Sequence, residues 1–439
     1  MLRPADHSLP PGPAIPPAAQ LLWWTVRPGV WLERCHARYG DVFTMRTPGA
    51  EPLVFLADPG DVKTVFTADP EVVPAGVGRD GIRPMFGDSS LLLLDGAEHL
   101  RRRRLLLPPF HGRAIAGYAA TMEEVTEREL AQWSPGRPFR LQDALQRITL
   151  DVILRCVFGM EDGARMDALR ERLRNLLALT ASPLAFLPVA MPVLRRGFLG
   201  DRFLALRAKT DAHIYDVIRR RRAAPDLDER EDVLSLLLRA ADEDGRPLGD
   251  EALRDELITL LLAGHETTAT ALAWTFDALW RHPAGRDRLS AEARDPDAPG
   301  DYADAVIQET LRLRPPIAFG DRTLAAPLEL GGHALPAGCR IAPCIYLVHR
   351  RPDVYPAPRA FRPERFLEHP PETYTWLPFG GGVRRCLGAS FATLEMKVVL
   401  RTILRRRTVG PASSRPETAR RRSIVLAPAH GSRAVVEAA

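Results

Sequence analysis

One short stretch near the C-terminus, residues 379–388 (FGGGVRRCLG), combines residue types that can do chemistry. Cys386 follows three consecutive glycines and two arginines, and an amphipathic helix is expected from Phe391 onwards. Glycines let the backbone approach a flat group closely, because they carry no Cβ. The charge of Arg384 and Arg385, with the N–H groups at the start of the next helix, favours anionic sulfur. The stretch therefore predicts a thiolate held against a flat cofactor.

The spacing in this stretch matches the pattern F-x-x-G-x-R-x-C-x-G at Phe379, Gly382, Arg384, Cys386 and Gly388. This is the haem-binding pattern of the cytochromes P450, and the chain resembles that family of haem-thiolate monooxygenases. The resemblance implies haem b as cofactor, with Cys386 as the axial thiolate ligand of the iron. A lone cysteine in a glycine-rich loop is more often an inert thiol, so the interpretation depends on further motifs in the family's order.

A second motif, AGHETT at 263–268, interrupts a long predicted helix. Gly264 in mid-helix costs about 1 kcal/mol relative to alanine, so a reason for it is expected. Taken alone, the motif also fits a polar helix face with a threonine bonded to its own backbone. The resemblance implies a local bulge that makes room for dioxygen, with Glu266 and Thr267 as catalytic residues that relay protons. We assign no role to His265.

Four basic residues complete the candidate site. His99 and Arg103 stand four residues apart on a predicted helix, so they share one face. The resemblance implies that His99, Arg103, Arg322 and Arg384 bind the haem propionates, and the fork of an arginine suits a carboxylate. With Cys386, they form the predicted cofactor-binding set.

Other arginines near His99 are interpreted differently. We predict that Arg101, Arg102 and Arg104 form a solvated basic face. By resemblance, the surface near this helix receives an acidic electron donor, which positive charge would attract.

A third motif is predicted to be structural. Glu309 and Arg312 stand at i and i+3 on one helix face, and such a pair is a weak signal alone. The resemblance implies that Arg365 completes a buried Glu–Arg–Arg triad that fixes the segment leading to the cysteine loop.

The substrate pocket is only implied by resemblance. Its expected lining is mostly apolar and consists of 74–90 with Met85 and Phe86, 184–194, 262–263, 317–319 and a turn near Ile424. Such a lining predicts a lipophilic small-molecule substrate but does not distinguish one from another.

The pattern of elements predicts a mostly α protein with a smaller β-rich region, the cytochrome P450 fold. Short strands are expected at 42–46 and 53–57, and a long helix at 250–282 with Asp250 as its N-cap. A further helix is expected at 302–314, stopped by two prolines. No internal repeat or linker is evident, so we predict one domain over 1–439, with a proline-rich segment at about 1–20.

Composition limits the classes of function. The formal charge is +5, and the basic runs are too short and scattered to indicate nucleic-acid binding. The five cysteines show neither disulfide nor metal-ligand spacing, and no apolar run is long enough for a membrane span. No signal peptide is recognisable. We therefore expect a cytoplasmic, bacterial-type protein that is monomeric.

These features predict a monooxygenase that takes electrons from a separate ferredoxin and ferredoxin reductase and inserts one atom of O2 into a lipophilic substrate. Two alternatives stay open. One is a peroxide-dependent haem-thiolate peroxygenase, against which the Glu266–Thr267 pair argues. The other is a non-catalytic haem-binding protein.

Overall fold

The computed structural model describes residues 9–77, 79, 81–181 and 198–437. The structure is 53% helix and 10% strand, which confirms the predicted mostly α fold class. No helix in this described part combines the length and apolarity that crossing a bilayer requires.

The helices of the described residues are numbered in chain order. They are α1 (Pro17–Val26), α2 (Pro28–Tyr39), α3 (Pro59–Thr67), α4 (Arg83–Phe86), α5 (Gly96–Leu106), α6 (Gly112–Gly117), α7 (Ala119–Leu130), α8 (Leu141–Cys156), α9 (Ala164–Ala181), α10 (Phe198–Arg222), α11 (Val233–Arg239), α12 (Asp250–Trp280), α13 (Pro283–Arg294), α14 (Asp301–Leu313), α15 (Ile345–Val348), α16 (Arg365–Glu368) and α17 (Ala389–Arg406).

The strands form small sheets. They are β1 (Val42–Met45), β2 (Leu53–Leu56), β3 (Phe139–Arg140), β4 (Arg322–Thr323), β5 (Leu328–Leu330), β6 (His333–Leu335), β7 (Arg340–Pro343), β8 (Val409–Pro411), β9 (Ala419–Arg422), β10 (Val425–Pro428) and β11 (Arg433–Val436). One sheet has the order β1-β2-β7-β4 and another the order β3-β11-β8, while β5–β6 and β9–β10 are two-stranded.

The strands predicted at 42–46 and 53–57 are confirmed as β1 and β2. They pair antiparallel, with Val42 opposite Leu56, and every residue of both strands is buried. β2 also pairs parallel with β7, which joins the N-terminal part of the chain to its C-terminal half.

The long helix predicted at 250–282 is confirmed as α12, but its ends differ. Gly249 is the N-cap, so the prediction of Asp250 in that role is wrong. Asp250 lies in the first turn, where negative charge complements the helix dipole, and its Oδ1 is 2.5 Å from the guanidinium of Arg222. The helix ends at Trp280.

The bulge expected at 263–268 is not present, because this part of α12 is regular α-helix. The reason for Gly264 is instead packing. A Cβ at this position would lie 3.3 Å from Cδ1 of Ile153 on α8, tighter than ordinary contact. The glycine therefore allows α8 to approach α12 closely.

The helix predicted at 302–314 is confirmed as α14, displaced by one residue. Its C-cap is Arg314, whose N–H donates to O of Thr310 at 2.7 Å. The helix stops there because proline cannot continue it.

The largest cluster of buried apolar side chains surrounds α12. The helix packs against α8, α10, α14 and α17, and strand β10 lies beside it. Trp274 is buried, and its Nε1–H donates to O of Leu426 at 2.8 Å, so the indole has the partner that a buried one needs. A helix buried on most of its faces can hold functional groups rigidly.

The predicted triad is formed and lies in the interior. Nε of Arg312 is 2.7 Å from Glu309, and Nε of Arg365 is 3.1 Å from it. The side chains of Glu309 and Arg312 are fully buried. Nη1 of Arg312 also donates to O of His349 at 2.8 Å, so the triad holds the chain that precedes the cysteine loop.

We predict that Glu309→Gln lowers the free energy of unfolding by about 3–5 kcal/mol, because it leaves two buried guanidinium groups without an anion. Asp287→Asn is the matched control, since its ion pair with Arg286 is exposed, and it should change stability by less than about 1 kcal/mol. Urea unfolding followed by tryptophan fluorescence measures both. Equal effects of the two substitutions would contradict a structural role for the triad.

Candidate active site

The cysteine loop is a tight turn that closes on itself. The N–H of Cys386 donates to O of Phe379 at 2.8 Å. Gly380 and Gly382 have φ of +69° and +62°, which other residues rarely adopt. A Cβ on Gly382 would lie 1.8 Å from the backbone O of Phe66, so glycine is required where the loop meets α3.

Cys386 differs from the other cysteines. The other four, Cys35, Cys156, Cys339 and Cys344, are buried, whereas Cys386 is exposed. Burial among protein atoms nevertheless raises the pKa of the Cys386 thiol. Cys386 is therefore an exposed residue in crowded surroundings.

Groups that stabilise the thiolate are present, as expected, but they do not bring the pKa of Cys386 below its ordinary value. The N–H of Gly388 and the charges of Arg103 and Arg385 lower the pKa of Cys386, yet burial outweighs them. Arg384 does not contribute, contrary to the prediction. Coordination to a metal ion would deprotonate the thiol outright.

The structure brings the four predicted basic residues together. His99 is buried, and burial together with the charges of Arg384 and Arg103 lowers its pKa to about 4, so it is neutral at pH 7. Burial and the neighbouring Arg384 lower the pKa of Arg322 to about 10. These mutual effects show that the cations share one buried region.

Sequence reasoning missed a fifth basic residue of this group, Arg79. It lowers the pKa of both Arg322 and Arg384, and its guanidinium donates to O of Leu92 at 3.1 Å and O of Asp321 at 3.4 Å. Arg79 lies in a glycine- and proline-rich stretch without helical spacing, so no pattern relates it to the others. Only the folded chain shows the proximity.

The positive charge of this cluster is only partly neutralised by the described residues. Arg384 pairs with Asp95 at 2.5 Å, but Arg79, Arg103 and Arg322 form no ion pair with a described side chain. Uncompensated buried charge is costly, so the cluster favours binding of an anion.

Arg384 is mainly committed to the protein. Besides Asp95, its guanidinium donates to O of Leu91 at 3.1 Å and to O of Leu94. These contacts tie the cysteine loop to the segment before α5. Arg103 does the same from α5, donating to O of Arg385 at 2.7 Å.

The acid–alcohol pair lies in the middle of α12. Oγ1 of Thr267 donates to O of Ala263 at 2.6 Å, the backbone contact that the alternative interpretation anticipated. The Glu266 side chain is 15% exposed, and burial raises the pKa of its carboxyl, an effect that Arg422 opposes. Nε of Arg422 is 3.3 Å from Oε1 of Glu266, but without the geometry of a hydrogen bond.

One face of α12 is accessible at this point. Ala263 is exposed, and Leu262, Glu266 and Thr267 are partly exposed, although the rest of the helix is largely buried. The acid–alcohol pair therefore lies on the one accessible stretch in the middle of a largely buried helix.

His265 points away from that face. Its ring is buried, and Nε2 lies 3.1 Å from O of Gln146 on α8. Its own backbone O accepts a hydrogen bond from Thr149 at 3.0 Å. Burial lowers the pKa of His265 to about 4, so it is a neutral packing residue.

The prediction that Arg102 belongs to a solvated face is wrong. Its side chain is 12% exposed and lies 3.1 Å from the buried Glu256 of α12. Burial raises the pKa of Glu256 to about 7. Arg101 and Arg104 are exposed, as predicted. Four consecutive residues of a helix point to all of its sides, so these arginines cannot all face solvent. Arg102 lies on the side of α5 that faces α12.

The expected substrate segments are only partly tested. The segment 184–194 lies outside the described residues. Met85 and Phe86 are partly exposed and Ile424 is 59% exposed. Phe319 packs against Trp24, with ring centroids 5.6 Å apart, so it belongs partly to an aromatic core.

Known proteins resemble this chain over almost its whole length. The family model for cytochrome P450 matches residues 10–433. Cytochrome P450 135B1 of Mycobacterium tuberculosis is 43% identical over 99% of this chain and 92% of its own. Cytochrome P450 137 of the same species is 42% identical over 90% of this chain and 83% of its own.

A solved structure shares the fold. The retinoic acid-bound cyanobacterial CYP120A1 superimposes with a TM-score of 0.83 at 26% identity, covering 98% of this chain and all of that one. The cofactor that these similarities imply is haem with an axial cysteine thiolate.

The described residues fit this cofactor. Cys386 is an exposed cysteine, and Arg103 and Arg322, which pair with no described carboxylate, offer sites for two propionates. A matching family model over nearly all of the chain and a relative at 43% identity agree with this chemistry, and the chain belongs to the cytochrome P450 family.

Proposed function

We propose that this protein inserts one atom of O2 into a C–H bond or a double bond of a lipophilic small molecule, with Cys386 as the axial ligand of its haem. The second oxygen atom leaves as water, taking up two electrons and two protons. The observation that carries the proposal is the coincidence of an exposed cysteine, in the haem-binding loop, with a cluster of arginines of which only Arg384 pairs with a described carboxylate.

Haem, when bound, supplies the iron that activates dioxygen, and the thiolate favours cleavage of the O–O bond. The chain supplies the surroundings. Arg103 and Arg322 would bind the propionates, with neutral His99 as a hydrogen-bonding partner, while Arg384 secures the loop. Arg79 adds positive charge to the same region.

Glu266 and Thr267 are proposed to deliver protons. The Thr267 hydroxyl donates to Ala263, so its oxygen remains able to accept a hydrogen bond at the accessible face of α12. The raised pKa of Glu266 brings its proton affinity closer to neutrality, which suits a group that gains and loses protons.

The electron donor is proposed to be an acidic ferredoxin, supplied by a ferredoxin reductase. Arg101 and Arg385 are exposed near α5 and the cysteine loop, where they would attract negative charge. Peroxide-driven oxygenation by the same haem is the second candidate, and dependence on the donor separates the two.

The remaining proposals concern the setting. We propose that the chain acts as one domain and as a monomer. A reducing, cytoplasmic location is supported by four buried free thiols. A lipophilic substrate is supported by the exposed Ile424 and, among relatives, by the retinoic acid bound to CYP120A1.

We predict that Arg322→Gln accelerates haem loss to apomyoglobin about 10- to 100-fold, because a charge-assisted hydrogen bond contributes about 1.5–3 kcal/mol. Arg101→Gln is the control, since Arg101 is exposed on α5. The fraction of haem retained is read from absorbance. An unchanged rate of loss in Arg322→Gln would contradict propionate binding by this residue.

The reaction is tested by incubating the protein with a mixture of lipophilic compounds, a ferredoxin, its reductase and NADPH under oxygen-18. We predict products that carry one labelled atom, and loss of them when ferredoxin is omitted. Equal turnover with peroxide alone would support the second candidate instead.

Thr267→Ala should lower the product formed per O2 consumed by about 10²-fold, because positioned proton transfer contributes that much. Thr275→Ala is the matched control. Its hydroxyl donates to O of Ala271 at 2.9 Å on the same helix, but it is buried. Similar losses in both variants would contradict proton delivery by Thr267.

A further inference from the structure

The C-terminal hairpin β9–β10 places a cation beside the acid of α12. Arg422 is the last residue of β9, opposite Val425, and Ser423 follows it with φ of +54°. The tight turn fixes the position of the Arg422 backbone at the end of the hairpin. Its guanidinium then lies next to Glu266, at 3.3 Å between Nε and Oε1.

The hairpin is anchored against neighbouring elements. The N–H of Leu426 donates to O of Pro316, and its O accepts from Trp274 on α12, both at 2.8 Å. The guanidinium of Arg421 lies 5.7 Å from the ring of Trp24. Arg422 is therefore held at a set position relative to α12.

The guanidinium of Arg422 has unused donors. It forms no hydrogen bond with any described residue, and its contact with Glu266 is electrostatic only. A third of the side chain is exposed, at 33%. An arginine has five N–H groups, and the edge formed by its two terminal nitrogens matches a carboxylate.

The neighbourhood of Arg422 combines charge with apolar surface. Ile424, two residues along at the tip of the hairpin, is 59% exposed. Leu262 and Ala263 belong to the accessible face of α12 that also carries Glu266. A ligand here would meet a cation at one point and hydrocarbon around it.

We propose that Arg422 is a specificity-determining residue that binds a carboxylate carried by a lipophilic substrate. This inference rests on the proposed function, since it names the class of substrate. The shortest contact with Glu266 is at Nε, and the terminal nitrogens form no hydrogen bond with a described residue, so they can bind a second carboxylate. A neutral ligand would leave these donors without an acceptor in a partly buried place, which is unfavourable.

The test compares acids with neutral partners of the same skeleton on the haem-loaded full chain. The pairs are tetradecanoic acid with its methyl ester, and retinoic acid with retinol. Dissociation constants come from equilibrium dialysis at pH 7.5, and the haem absorbance gives a second readout. The variants are Arg422→Gln and Arg422→Lys, with Arg420→Gln as control, because Arg420 is an exposed cation on the same strand.

We expect at least one acid to bind about 10-fold more tightly than its neutral partner. Arg422→Gln should abolish this preference by weakening acid binding alone, Arg422→Lys should retain part of it, and Arg420→Gln should keep it. A preference that persists in Arg422→Gln would overturn the proposal, as would equal loss in Arg420→Gln or no binding of either acid.

A second variant and two distinct outcomes keep this inference separate from the proposed function. If Arg422→Gln does not fold with haem, Arg422→Lys decides, because it retains charge but loses the fork. If the protein oxygenates neutral compounds with ferredoxin yet shows no preference for acids, only the role of Arg422 fails. Absence of haem or of donor-dependent oxygenation would instead overturn the proposed function.

Discussion

Positive charge on buried and half-buried arginines, which the described residues only partly neutralise, is the constraint on which this structure depends. Arg103, Arg322 and Arg384 converge from α5, β4 and the cysteine loop beside the neutral His99, yet Asp95 is the only carboxylate that pairs with one of these arginines in the described chain. Such a cluster costs several kcal/mol unless an anion binds it. Haem propionates supply two negative charges, so cofactor binding and folding of this region are linked.

A second ionic assembly, in which one carboxylate pairs with two arginines, helps to hold the cysteine loop in place. Glu309 pairs with Arg312 and Arg365, and Arg312 donates to the backbone of His349. Nε2 of His349 accepts the N–H of Leu377 at 2.7 Å, two residues before the cysteine loop begins. The His349 ring is buried, and burial with neighbouring arginines lowers its pKa to about 3, so it stays neutral and keeps this acceptor. Hydrogen bonds thus link the buried triad, through His349, to the segment that leads into the cysteine loop.

The sequence was most informative where function depends on local spacing. The cysteine loop, the strands β1 and β2, and the helices α12 and α14 could be predicted because their signals lie within short windows. Contacts between distant segments could not. Arg79 reaches the cationic cluster and donates to the backbone of Asp321, which is 242 positions away in the sequence. Arg102 turns inward to Glu256, and Arg422 reaches Glu266 from another element. The bulge in α12 was wrongly expected, because the glycine that suggested it is explained by packing against α8.

The central claim is that Cys386, as a thiolate, is the axial ligand of the haem. The most direct test is the absorbance difference between the dithionite-reduced protein with and without carbon monoxide. The account predicts a strongly red-shifted Soret band in the wild-type protein, and its loss in Cys386→Ser while Cys344→Ser, at a buried thiol, retains it. A band at the position typical of histidine- or thiol-ligated haem in the wild-type protein, or a red-shifted band that survives in Cys386→Ser, would contradict the account.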